Sequence, residues 1–303
     1  MSKELREPFL YISTGQKGVG KTYATEHNIL KNYVSGANAR PVIIFDTNNE
    51  FQSVTAINWD IEQYKPTKGN RKKERDYNKI GKEVFDYCIR VHEGKEAPKI
   101  LRVVPFLKSG KSMSATDKQE TAKVLMDCVR GGILYLEDFN NYFMGAKSMD
   151  IISNITTNRH KAQDIVLHLQ TMTALDPKLI ANSTVIRMHK QADPIKRIKN
   201  KLSNPEIFLI AEMIIQNEWD KKNKYFYLYL YPSDHKIGFY KLSAKECKQK
   251  FELGCIRYLT KNHQIFNDFA QSELQKSLSS LNQAEKTKLI KTFIKQKTEY
   301  ITK

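Results

Sequence analysis

Short runs made wholly of apolar residues recur along the first 190 residues, and each stops at a polar or glycine-rich turn. Phe9–Ser13 (FLYIS) ends in a glycine-rich turn, and Pro41–Asp46 (PVIIFD) ends on an acid. Apolarity that is continuous rather than alternating predicts strands covered on both faces, as in a parallel sheet. Between these two runs, Thr22–Tyr33 reads as a helix, and Gly36 and Pro41 break the chain after it. Strand, helix and strand within about 40 residues form a βαβ unit. Further strands are expected at Ile100–Pro105, Ile133–Leu136, Asp164–Gln170 (DIVLHLQ) and Thr184–Met188. A helix is expected over Asp117–Arg130, with Asp117 as N-cap and Glu120 at the capping-box position, stopped by Gly131-Gly132. Another should run through about Asn158.

Two stretches break this rhythm. Residues 65–82 hold eight Lys or Arg against two acids and predict a loop or insertion. Past Asn204, Pro205–Asn217 reads as a helix. Lys224–Tyr231 and Lys236–Leu242 then flank PSDH as an antiparallel hairpin, and residues 244–303 are polar, Lys-rich and helical in character. Tyr225, Tyr227, Tyr229 and Tyr231 alternate with Phe226, Leu228 and Leu230, a pattern that predicts a sheet edge rather than a base-stacking platform. Five βα-like repeats predict an α/β domain with a mainly parallel sheet flanked by helices, then a C-terminal antiparallel hairpin and a helical tail. The expected division is residues 1–245 and a tail at 246–303.

Composition narrows the function. The 303 residues carry 50 Lys and Arg against 33 Asp and Glu, a formal charge of +17 that favours a polyanionic partner. No apolar run approaches the roughly 18–20 residues of a membrane span. The longest, Ile207–Ile215, contains Glu212. The first residues show no apolar signal segment, so a cytoplasmic protein is expected, in the host cytoplasm or at a virion vertex if the protein is viral. Cys88, Cys128, Cys247 and Cys255 form no CxxC and have no zinc spacing, which suits isolated thiols in a reducing compartment.

Gly15-Gln16-Lys17-Gly18-Val19-Gly20-Lys21-Thr22 fits G-x-x-x-x-G-K-[ST], and it lies between an apolar strand and a helix as that motif requires. The glycines let backbone wrap a phosphate, and loop N–H groups with the following helix N-terminus face it. Lys21 is expected to bridge the β- and γ-phosphates of ATP and Thr22 to ligate Mg²⁺. Glu137 and Asp138, at the end of Ile133–Leu136, supply the carboxylates: Glu137 for the metal shell and Asp138 for the attacking water. Hydrolysing motors usually carry Asp then Glu, so the reversed order here bears on the rate of hydrolysis.

No N-K-x-D motif for guanine occurs, which argues against a GTPase. Three further segments resemble the FtsK–HerA superfamily of DNA-translocating ATPases. These are Asp46 through Glu50-Phe51 after strand two, Asn158-Arg159-His160 followed by the strand ending in Gln170, and Leu175-Asp176-Pro177 through Asn182 to Val185-Ile186-Arg187. The resemblance spans residues 9 to about 190 and looks most like viral genome-packaging ATPases. It implies a RecA/FtsK-like P-loop fold, a sensing role for Gln170 beside the γ-phosphate, and Arg159 as a finger acting on a neighbouring subunit's nucleotide. Arg130 and Arg187 are weaker candidates for the finger. His160 and His168 have no metal spacing and read as ordinary polar positions. Lys17 also resembles the signature lysine of partition-type ATPases, which differ from this chain around Val19 and downstream.

A finger in trans implies a homo-oligomeric ring. The basic stretch 65–82, the run Lys196-Arg197-Ile198-Lys199-Asn200-Lys201 and the Lys-rich tail are the expected DNA contacts. They carry no groove-reading motif, so binding should be independent of sequence. Residues 272–303 are alternatively a docking helix for a capsid or vertex protein or a neighbouring subunit. The leading expectation is an ATP-driven DNA translocase that packages a genome into a capsid. The alternatives are a filamentous-phage or conjugative export ATPase of the Zot type, and a nucleotide-switched DNA- or capsid-binding protein with little hydrolysis.

Overall fold

The structure, a computed structural model, describes residues 7–54, 56–57, 62–67, 70–107, 110–139, 155 and 161–301. The chain packs as two compact units. The first comprises Met1–Ser13, Gly20–Gln170 and Asn182–Thr184, and the second Thr14–Val19, Thr171–Ala181 and Val185–Lys303.

In the first unit, β1 (Leu10–Thr14) leads through the glycine-rich loop into α1 (Lys21–Thr25). A π-helical segment, Glu26–Leu30, and α2 (Lys31–Tyr33) continue the same helical run, which matches the expected helix with a wider turn inserted in it. β2 (Val42–Phe45), β3 (Ala56–Ile57), β4 (Glu62–Thr67) and β5 (Asn70–Arg75) follow. Then come α3 (Tyr77–His92), β6 (Ile100–Val103), α4 (Ala115–Cys128), β7 (Ile133–Leu136) and β8 (Asp164–Leu169). The strands lie in the order β1-β8-β7-β2-β6-β3, and β7 with β8, β2 with β7, β2 with β6 and β3 with β6 pair in parallel. β2 and β7 are buried at every position, as continuous apolar runs predict for a sheet covered on both faces. At the start of β8, the Asp164 carboxylate accepts from the Phe9 N–H at 2.9 Å and the Tyr33 hydroxyl at 2.5 Å, tying the strand to the chain before β1 and to α2.

Two expectations change here. The basic stretch 65–82 is not a loop throughout. β4 and β5 pair antiparallel from Glu62↔Arg75 to Thr67↔Asn70, and Tyr77 already begins α3. The N-cap of α4 is Ser114 rather than Asp117. Ser114 Oγ accepts the Asp117 N–H while the Asp117 carboxylate accepts the Ser114 N–H, a reciprocal box three residues upstream of the expected one. The helix expected through Asn158 falls, apart from Ile155, outside the described residues.

In the second unit, α5 (Pro177–Asn182) precedes β9 (Val185–Met188). α6 (Pro205–Asp220) starts with proline in its first turn. β10 (Leu228–Tyr231) pairs antiparallel with both β9 and β11 (Lys236–Phe239). The Tyr-rich segment is therefore flanked on both sides, which corrects the sheet-edge reading, and β11 takes the outer place. α7 (Ala244–Lys261), α8 (His263–Leu274) and α9 (Gln283–Lys297) complete the helical C-terminal region. α7 and α9 each begin with a capping box, at Ser243 with Glu246 and at Asn282 with Glu285. Among the described residues no helix is long and apolar enough to cross a membrane.

Candidate functional site

The phosphate loop begins where β1 ends. Gly15 is required by close approach: a Cβ there would stand 2.6 Å from the Cβ of His189. Gln16 N–H donates to the Lys190 carbonyl at 2.8 Å, and Val19 is buried, so this half of the loop is pinned to the residues after β9. Lys17 and Gly18 are exposed between those anchors. Gly20 caps α1 with φ 78° in the left-handed region, where a side chain is strained. Lys21 follows as the first helical residue and is 9% exposed, and Thr22 is half-buried.

The expected carboxylates stand at the end of β7. Glu137 is buried, and its Oε2 accepts from the Tyr135 hydroxyl and lies 3.3 Å from His168 Nδ1. Asp138 turns the backbone into the left-handed region, φ 45°. Its carboxylate accepts Gln170 Nε2 at 3.2 and 3.1 Å and Asn48 Nδ2 at 2.5 Å. β8 pairs with β7, so Gln170, next after β8, comes beside the strand end that carries Asp138.

The segment after β2 forms a third wall. Asp46 is fully buried and accepts the backbone N–H groups of Glu50 (2.9 Å) and Phe51 (3.0 Å), with Arg102 at 3.3 Å. Burial pushes the Asp46 carboxyl up, while those N–H groups and Arg102 pull it down. The clamp presents Glu50, whose Oε2 accepts the Thr22 hydroxyl at 2.8 Å. The Glu50 carboxyl is raised, first by burial and then by the charges of Glu137, Asp138 and Asp46, with the Thr22 donation opposing them. Among the described residues no three His, Cys, Asp or Glu side chains gather closely enough to hold a metal ion by themselves, and Thr22 with Glu50 is the hydroxyl–carboxylate pair at the start of α1.

Within the first unit the structure joins Gln170 to Asp138 and Thr22 to Glu50, and sets Lys21 before Thr22 at the start of α1. Arg159, with Asn158 and His160, lies outside the described residues. Arg187 is fully buried in β9 with its guanidinium 5.5 Å from the Tyr227 ring centroid, which removes it as a surface finger. Arg130, just after α4, is half-buried and donates to the Val129 carbonyl at 2.9 Å. The run 195–201 is a 3-10 helix that buries Ile195 and Ile198 and exposes Lys196, Arg197, Lys199 and Lys201. Burial raises all four cysteine thiols, that of Cys255 to about 12.

Sequence reasoning gave Asn48 and Glu50 only as members of a motif. It also passed over Thr25 and Tyr135 and read His168 as an ordinary polar position. The signal for His168 was present, because a polar side chain inside an otherwise apolar buried strand needs a partner.

No family model matches this chain, and no curated protein does. Among solved structures, it is similar to the genome packaging NTPase of Sulfolobus turreted icosahedral virus 2. The complex with ATP-gammaS gives 14% identity and TM-score 0.46 over 78% of this chain and 98% of that one. The sulfate complex gives 14% and 0.48 over the same shares. The N-terminal domain of zonular occludens toxin from Neisseria meningitidis gives 14% and 0.28 over 60% of this chain and 76% of that one.

Proposed function

We propose that the chain is an ATP-hydrolysing DNA translocase, of the kind that drives a viral genome into a capsid. The observation that carries the hydrolytic part is the grip of Gln170 on Asp138 within the unit that also holds Lys21 and Thr22. In this reading Lys21 and the loop N–H groups bind the β- and γ-phosphates. Thr22 and Glu137 would hold Mg²⁺, with Glu50 beside Thr22, and the bound ion would supply positive charge to the phosphates. Asp138 accepts a proton from the water that attacks the γ-phosphorus as the bond to the β–γ bridging oxygen breaks. Gln170 fixes the Asp138 carboxylate and moves with it, so the strand it terminates senses whether the γ-phosphate is present. Arg159 from a neighbouring copy in a ring is the proposed finger.

The translocation part rests on charge. Exposed Lys196, Lys199 and Lys201 sit on a short helix whose apolar residues anchor it, an arrangement suited to backbone phosphates rather than base edges. The test is steady-state ATP hydrolysis with and without double-stranded DNA at low salt, beside Lys21→Ala and Asp138→Asn. DNA-stimulated turnover lost in both variants supports the reading. Tight ATP binding without turnover in either condition overturns the motor and leaves a nucleotide switch.

A further inference from the structure

Thr25, His168 and Tyr135 are fully buried, and Glu137 is 2% exposed. Together they make one unbroken polar chain through the core of the first unit. Thr25 Oγ1 lies 2.7 Å from His168 Nε2, and His168 Nδ1 lies 2.6 Å from the Tyr135 hydroxyl, which donates to Glu137 Oε2. Polar groups this deep are costly unless every one is satisfied, and leucine or phenylalanine would fill the same space at no such cost.

The donors run one way. Glu137 as a carboxylate accepts from Tyr135, so the tyrosine oxygen must accept in turn from His168 Nδ1–H. In the neutral imidazole His168 Nε2 is then an acceptor, and the Thr25 hydroxyl donates to it. The chain thereby fixes both the tautomer of His168 and the direction of the Tyr135 O–H. Two edge-on ring contacts keep the tyrosine from swinging: His168 at 4.7 Å and Phe51 at 5.0 Å between centroids. The chain begins on α1, three residues after Thr22, and ends on the carboxylate assigned to the metal shell.

We propose that Thr25, His168 and Tyr135 are positioning residues for Glu137, coupling the helix that starts at the phosphate loop to the orientation of that carboxylate. The proposal rests on the ATP-hydrolysis reading for its consequence, and on the hydrogen-bond chain alone for its geometry. Outer-shell partners of this kind are worth roughly 10–100-fold in metal affinity or activity.

The experiment has two readouts. The first compares ATP binding in Mg²⁺ and in EDTA, together with turnover, for the unsubstituted chain, Tyr135→Phe, Thr25→Val and Thr25→Ser. Tyr135→Phe and Thr25→Val are expected to weaken the Mg²⁺-dependent part of binding and lower kcat, each about 10-fold or more. Binding in EDTA should be unchanged, and Thr25→Ser, which keeps the hydroxyl, should behave as the unsubstituted chain does. Loss of EDTA binding as well, or equal damage from Thr25→Ser and Thr25→Val, assigns these residues to packing and overturns the proposal. The second readout is long-range nitrogen–proton correlation on the His168 ring. It reports the chain even if the protein hydrolyses nothing. A neutral imidazole protonated at Nδ1 is expected, and one protonated at Nε2 overturns the proposal without touching the reading of function.

Discussion

Gln170 Nε2 donates to both carboxylate oxygens of Asp138, at 3.2 and 3.1 Å, from the residue that follows β8 to the residue two after β7. The pair ties the end of one strand to the end of its neighbour. Gln170→Ala removes this grip and leaves the Asn48 contact to orient the Asp138 carboxylate. The expected outcome is a kcat lower by about 100-fold, within the usual span for a general base and its orienting group, and an ATP affinity changed less than threefold. Stopped-flow binding beside steady-state turnover separates the two. A Gln170→Ala protein with full kcat would remove the sensing role.

Thr22 donates to Glu50, and that bond competes with any cation for both groups. Glu50→Gln keeps the shape and removes one negative charge from the cluster. Mg²⁺ affinity in the presence of ATP should fall by about 10-fold. Binding of ATP in EDTA should hold or improve, since less negative charge then faces the phosphates. Titrating Mg²⁺ against a fluorescent ATP analogue measures both, and an unchanged Mg²⁺ midpoint excludes Glu50 from the metal shell.

If the short helix Ile195–Lys201 contacts DNA, its three exposed lysines release counterions on binding. Lys196, Lys199 and Lys201 changed together to glutamine should reduce the slope of log affinity against log salt by up to ~2.7. The loss should be the same for unrelated duplexes. Fluorescence anisotropy across a salt series gives the slope, and an unaltered slope moves the DNA contact elsewhere.

Glu212 on α6 accepts the Ile195 N–H at 3.0 Å, and burial raises its carboxyl above the ordinary value of 4.5, with that N–H and Lys190 pulling it back. A raised carboxyl means that folding favours the protonated form. Its contribution is therefore whole below about pH 4.5 and is lost as pH climbs through the higher folded value. Glu212→Gln stays neutral and keeps an acceptor for Ile195. The variant should melt about 2 °C higher at pH 7, and the gain should vanish near pH 4. A melting curve equally shifted at both pH values would tie the effect to packing instead of charge.

The strands β2 and β7 were readable because burial on both faces leaves no charged residue to interrupt Val42–Phe45 and Ile133–Leu136. The phosphate loop and the Glu137-Asp138 pair were readable because their chemistry needs those types at that spacing. β4 and β5 were not, since Glu62–Thr67 and Asn70–Arg75 carry no alternation of apolar and polar residues. α3 was missed although Ile80, Gly81, Val84, Tyr87 and Cys88 recur at helical spacing and are buried, because its first turn merges with the basic stretch before it. The chain from Thr25 to Glu137 joins residues more than 100 positions apart, and only strand pairing reveals such partners.

The left-handed backbone at Asp138, φ 45°, restricts which sequences this strand end tolerates. Short polar residues such as Asp and Asn bond locally to their own backbone and visit that region readily, whereas longer side chains do so at a cost of roughly 1–2 kcal/mol. Restoring the commoner acid order through the double change Glu137→Asp with Asp138→Glu is thus no simple exchange of roles. It would place the longer acid where the backbone accepts it least, and it would draw the preceding carboxylate back from the reach of Tyr135. The reversed pair is better understood as the order that this turn permits, and the route from one order to the other passes through a change of backbone before a change of chemistry.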